Sequence, residues 1–121
     1  MTNSPLINNP NNDSESVAVI FGVPFDSTHS YKPGCRFGPD AIRDAFNNIE
    51  IFQPEFGVDL ETANINDLGN TKHTVVATEM LKMVENITSE LAKQGKQIII
   101  LGGEHLITLG SLDVFQRIQD I

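Results

Sequence analysis

The sequence predicts an α/β domain built on a parallel sheet with helices on both faces. Three observations predict it. Val17-Ala18-Val19-Ile20-Phe21 is a short unbroken apolar run closed by Gly22, and residues 97–101 hold a second, Ile98-Ile99-Ile100-Leu101, closed by Gly102 and Gly103. Such runs are the pattern of strands buried on both faces. Between them, Val76, Met80, Val84, Ile87 and Leu91 recur at helical spacing, one apolar stripe of an amphipathic helix.

The first strand is expected at 17–21. Residues 22–38 then form a long loop, holding Pro24, Pro33, Gly34 and Gly38 among polar residues; loops of this length usually carry function. Pro39 suits a helix start, with Asp40 in the first turn and Ala41, Ile42, Ala45 and Phe46 as the apolar face. That helix should end near Asn47. A second strand is expected at 64–68, with Gly69 turning the chain. The striped helix spans 71–94 and stops at Gly95. The strand at 97–101 follows, and a final helix runs from about Glu104 toward Arg117. This order is the βαβ alternation of a parallel sheet. In such sheets sites lie beyond the carboxyl ends of strands, which puts 22–38 and 102–105 on one functional edge. Neither an internal repeat nor a second domain is visible.

Bulk properties narrow the function. The chain has 121 residues, 40% hydrophobic and 20% charged, values of a globular protein able to bury a core. A formal net charge of −8 and a pI near 4.6 offer no basic stripe for phosphates, which argues against nucleic-acid binding and suits a cationic small substrate. One cysteine, Cys35, excludes an internal disulfide and points to a reducing compartment, the cytoplasm. Residues 1–16 are rich in Asn and Ser, lack the features of a signal peptide and read as a disordered tail. No apolar stretch reaches the length of a membrane helix.

Two segments could carry chemistry. In Leu101-Gly102-Gly103-Glu104-His105 two glycines allow a tight turn at a strand end and present an imidazole beside a carboxylate. The loop packs Pro24-Phe25-Asp26-Ser27 and Tyr31-Lys32-Pro33-Gly34-Cys35-Arg36-Phe37 into one constrained connection. Asp26 either accepts hydrogen bonds that stiffen this loop or faces a cationic substrate. Arg36 pairs with a carboxylate of the loop or of a neighbouring subunit. Cys35 has no histidine at a telling spacing, so a nucleophilic thiol is unsupported. His73 is expected solvated, and Met80 and Met83 are expected in packing.

Segments 22–39, Asp67-Leu68-Gly69 and 101–108 look like successive landmarks of the ureohydrolase (arginase) superfamily, in family order and at family-like separations. Pro24-Phe25-Asp26 and Ser30-Tyr31-Lys32-Pro33-Gly34-Cys35-Arg36-Phe37-Gly38-Pro39 resemble its agmatinase branch more than arginases. The resemblance implies a three-layer α/β/α arginase-like fold and a pair of Mn²⁺ ions beyond the strand ends. Two metals can activate water and stabilise charge during attack on the guanidinium carbon of agmatine, giving urea and putrescine. It also implies that His105 is a manganese ligand. The remaining family ligands sit in an Asp-Ala-His-x-Asp and an Asp-x-Asp strand end, neither of which occurs here.

Residues 17–121 are therefore expected to be the amino-terminal portion of a single ureohydrolase domain, inactive alone, whose complete form is a cytoplasmic homo-oligomer, trimer or hexamer. Glu104, next to the expected ligand, either orients the surroundings of the metal or caps the last helix. Two positions depart from the family: Leu106 stands where serine is common, and His29 where a small polar residue is common. His29 either lines the entrance or is a solvated loop residue.

Other readings compete. A nucleotide-binding module fits a glycine-bearing βα turn, but the chain has neither three spaced glycines nor a phosphate loop ending in Gly-Lys-Ser/Thr. A degenerate, non-catalytic ureohydrolase relative and a guanidinobutyrase-type hydrolase both retain these motifs.

Overall fold

The computed structural model describes residues 16–28, 31–49, 52–59 and 63–119. Its centre is strand β1 (Ala18–Val23), every residue of which is buried. β1 pairs in parallel with β4 (Ile65–Asn70) on one side and β5 (Gln97–Gly102) on the other, giving the sheet order β4-β1-β5. Both neighbours run parallel, so each connection is a crossover containing a helix. The first carries α1 (Gly38–Phe46) and the second α2 (Ala77–Lys93); α3 (Ile107–Gln119) follows β5.

Alternation along β1 decides which helix packs where, because successive side chains point to opposite faces. Val19, Phe21 and Val23 join Phe25, Met80, Val84, Leu91 and Ile107 in the main core. The α2 and α3 helices therefore cover that face. On the opposite face, a Cβ added to Gly22 would lie 2.8 Å from the Cβ of Pro39 at the start of α1. Glycine lets the helix approach there. The result is three layers, helix on sheet on helix.

The stripe of α2 packs largely as expected. Met80, Val84 and Leu91 are buried, Ile87 packs against the core, and Val76 lies just outside the helix, exposed. Thr88 completes the buried face, and its hydroxyl has no hydrogen-bond partner among the described residues. Gly95 at φ 70° ends the helix in the left-handed region, with Lys96 N–H donating to Leu91 O at 3.1 Å. Gly110 of α3 sits where a Cβ would crowd the Val84 side chain, so α2 and α3 pack closely.

Several expectations are corrected. The helix read from residue 71 begins at Ala77: Thr71 N–H donates to Gly22 O at 2.8 Å, and the Thr74 hydroxyl accepts from Val76 N–H at 3.1 Å. These bonds hold the segment extended or turned rather than helical. The last helix begins at Ile107 rather than Glu104, because Glu104 N–H is committed to Phe25 O at 2.8 Å. The expected apolar face of α1 is largely exposed, with Ile42, Ala41 and Ala45 outward, while Pro39 and Arg43 are its buried residues. β5 is only partly buried, with Ile99 44% exposed, since no strand pairs with its outer edge among the described residues.

Gly69 does not turn the chain; it lies inside β4 at φ 83°. The pairing passes from Ile20↔Asp67 to Gly22↔Asn70, so β4 carries one extra residue there, a β-bulge. A short antiparallel pair, β2 (Phe52–Gln53) with β3 (Val58–Asp59), was not anticipated. Of the expected tail over residues 1–16, only Ser16 is among the described residues, and it is buried. His29 and Ser30 also lie outside them.

Candidate functional site

The carboxyl ends of β1 and β5 lie side by side, with Val23 in register with Gly102. The segments leaving them, the loop 24–34 and the turn 103–106, therefore meet. This is the shared edge expected from the sequence. Gly103 N–H donates to Cys35 O at 3.2 Å and Glu104 N–H to Phe25 O at 2.8 Å. Gly103 adopts φ 47°, and a Cβ there would lie 2.8 Å from Phe25 O and closer still to Val23 O. Only glycine fits without strain, so the turn is stitched tightly onto the first loop.

Asp26 organises that loop from within. Its Oδ2 accepts from Gly34 N–H at 2.6 Å and Arg36 N–H at 3.3 Å, and the Arg36 guanidinium reaches both carboxylate oxygens at 3.2 and 3.3 Å. The Gly34 hydrogen bond, helped by those from Arg36 and by its charge, holds the Asp26 carboxyl below its ordinary value against the opposing effect of burial. Arg36 also stacks over Phe37, 4.5 Å from the ring centroid. Of the two roles open to Asp26, stiffening the loop is the one its contacts display. Arg36 pairs within the loop.

Glu104 faces the same loop. Thr28 N–H donates to Glu104 Oε2 at 3.0 Å, and the Thr28 hydroxyl donates to Oε1. Neither expected role of Glu104 includes this contact. Its carboxylate holds the loop, and α3 begins three residues later.

His105 is exposed at the strand-end turn, and its imidazole makes no hydrogen bond or ion pair among the described residues. Leu106 beside it packs against the core, which a hydroxyl would not do as well. Cys35 and His73 are exposed, and Met80 and Met83 are at least partly buried in α2.

A second polar cluster was missed. Arg43 of α1 donates to both oxygens of Asp67, Nε to Oδ2 and Nη2 to Oδ1, each at 2.9 Å, and also to Asn70 Oδ1. Asn70 in turn donates to Asp40 Oδ1 at 2.9 Å. Residues three apart on a regular strand face opposite sides; the bulge at Gly69 resets the alternation and lets Asp67 and Asn70 reach one guanidinium. Gly69 N–H donates back to Asp67 Oδ1 at 2.9 Å. The sequence signal was a glycine inside a strand pattern, which marks a bulge as readily as a turn.

A metal fits these residues only in part. His105 offers a neutral-nitrogen donor suited to a transition metal. The carboxylates of Asp26 and Glu104 are engaged with the loop, and no group of three or more His, Cys, Asp or Glu among the described residues is placed to hold an ion.

The chain is a three-layer α/β unit with an imidazole on a glycine turn beyond its strand ends, and sequence comparison gives the family. The family model described as Arginase family matches residues 16–120. The chain belongs to that family. It is 40% identical over 95 residues to an agmatinase of Bacillus anthracis, covering 78% of this chain and 33% of that protein. It is 38% identical over 103 residues to an N(1)-aminopropylagmatine ureohydrolase of Thermococcus kodakarensis, covering 81% of this chain and 35% of that protein. The crystal structure of the agmatine ureohydrolase of Thermoplasma volcanium superposes with a TM-score of 0.79 at 38% identity, covering 84% of this chain and 34% of that one. The fold is arginase-like, and the chain spans about a third of the length of the curated relatives it matches.

Proposed function

We propose that this chain forms the amino-terminal portion, residues 17–121, of an agmatinase-type ureohydrolase that converts agmatine to putrescine and urea with two Mn²⁺ ions. One observation carries the reading. The unengaged imidazole of His105 stands at the carboxyl end of β5, on a turn stitched to the Pro24-Phe25-Asp26 loop. Family membership and the agmatinase relatives support the reaction class.

In this reading His105 supplies one nitrogen ligand, and the remaining ligands belong to polypeptide outside the described residues. Bound manganese would lower the pKa of the attacking water and stabilise negative charge on its oxygen during attack on the guanidinium carbon. This chain's own residues do the rest locally. Gly103 and Glu104 fix the backbone that carries the imidazole, and Asp26 with Arg36 keeps the adjoining loop rigid. The net charge of −8 favours approach of a cationic guanidino substrate. The same reading assigns a cytoplasmic homo-oligomer, trimer or hexamer; no helix among the described residues is long and apolar enough to cross a membrane.

The substrate class has a second candidate, because a relative of nearly equal identity is named for N(1)-aminopropylagmatine. Both compounds carry a guanidino group. The test is urea release from each, with and without Mn²⁺, by the full-length gene product and by its His105→Ala variant, alongside metal content. Manganese-dependent urea release that falls with His105→Ala, together with lower bound metal, is the expected result. Unchanged metal content in the variant would sink the assignment.

A further inference from the structure

We propose that Thr28 is a positioning residue for His105, acting through Glu104; the proposal rests on the reading of His105 as a metal ligand. Thr28 and Glu104 are 76 residues apart in the chain, yet one threonine engages both oxygens of the carboxylate next to the imidazole. Its N–H takes Oε2 and its hydroxyl takes Oε1.

Among the described residues, four hydrogen bonds attach the turn 103–106 to the segment that leaves β1. Two are backbone to backbone, Gly103 to Cys35 and Glu104 to Phe25, and fix the height of the turn above the sheet. The other two use the Glu104 side chain and are the ones that sequence can change. A carboxylate left free would let the turn, and the imidazole it carries, move relative to the loop. Held by Thr28, it ties the turn to the loop and keeps the imidazole in one place. Threonine suits the task, because branching at Cβ restricts χ1 and keeps the hydroxyl aimed at the same carboxylate as its own N–H.

The Asp26–Arg36 pair keeps the loop from yielding. Asp26 binds Gly34 and Arg36, and Arg36 stacks on Phe37, so the segment on which Thr28 sits is braced two residues away. The order of support runs from Asp26 to the loop, from Thr28 to Glu104, and from Glu104 to the backbone of His105. Thr28 is exposed and Glu104 half-buried, so water competes for the contact and its loss should be graded, without unfolding.

The test uses the isotope-labelled full-length gene product with Thr28→Val, which removes the hydroxyl at nearly constant shape, and Thr28→Ser, which keeps it. Without metal, Thr28→Val should speed hydrogen exchange at the Gly103 and Glu104 amides several-fold and leave the β1 amides unchanged. Thr28→Ser should match the parent. With Mn²⁺, broadening of the His105 ring resonances is followed against those of His73, an exposed histidine outside the turn. Thr28→Val should raise the half-broadening concentration at His105 by roughly tenfold, the lower end of what losing an outer support costs metal sites. Thr28→Ser should restore it.

Unchanged exchange in Thr28→Val overturns the clamp. Faster exchange with an unchanged Mn²⁺ dependence at His105 overturns the positioning role, because a merely structural contact would behave that way. A parent chain in which His105 broadens no more than His73 overturns the ligand reading and this proposal with it; that pattern is distinct from failure of the clamp.

Discussion

The guanidinium of Arg43 and the carboxylate of Asp67 meet in a two-pronged pair, both bonds at 2.9 Å, with the two side chains essentially removed from solvent. Arg43 comes from the middle of α1 and Asp67 from β4, so the pair ties the first crossover helix to the edge of the sheet. Asn70 and Asp40 extend it, and Asn70 Oδ1 lies against the backbone of Gly22. The first loop ends where α1 begins. Anything that lets α1 shift therefore loosens the loop that faces His105.

Removing one partner leaves a buried charge without its counter-ion. Asp67→Asn or Arg43→Met should each lower unfolding stability by roughly 3–5 kcal/mol, while the double replacement should lose less than the two singles combined. Urea denaturation of the four species measures the coupling. Additive losses would mean that the two side chains do not act as a pair.

Two left-handed glycines separate backbone strain from steric crowding. Gly95 adopts φ 70° with nothing within 4 Å of an added Cβ, whereas Gly103 adopts φ 47° with carbonyl oxygens of β1 and the first loop in the way. Gly95→Ala should cost about 1–2 kcal/mol, the conformational term alone. Gly103→Ala should cost of order 1–3 kcal/mol more, because Val23 and Phe25 backbone must move. Equal losses in thermal or urea melts would contradict the close approach of the turn to the loop.

Asp26 gives a pH dependence of known sign. Its folded-state carboxyl is held below the ordinary value of 3.8, first by the Gly34 N–H. A depressed folded pKa stabilises the fold above the unfolded pKa, and that stabilisation disappears as pH falls through the folded value. The stability difference between the parent chain and Asp26→Asn should be constant near neutrality and shrink below the ordinary value. Denaturation from pH 7 down to strongly acidic conditions checks it; a difference that grows on acidification would reverse the sign.

The sequence by itself determined the sheet's centre and the main helical face. The apolar run expected as a strand at 17–21 had to lie between neighbours, as residues 18–21 do although Val17 is exposed, and the stripe of Met80, Val84 and Leu91 had to meet it. The strand-end location of the Asp26 loop and the His105 turn followed from the alternation of strands and helices. These are periodic, local signals, and periodicity survives in a bare string of residues.

Only the tertiary structure decided which polar residues meet. Nothing along the chain marks Arg43 until the bulge at Gly69 brings Asp67 and Asn70 to one side of β4. Thr28 is an ordinary polar residue and Glu104 has no visible partner until parallel pairing sets the ends of β1 and β5 side by side. The physical reason is common to both. A hydrogen bond depends on placement within a fraction of an ångström, and that placement is fixed by strand register and helix docking, which no spacing along the chain encodes.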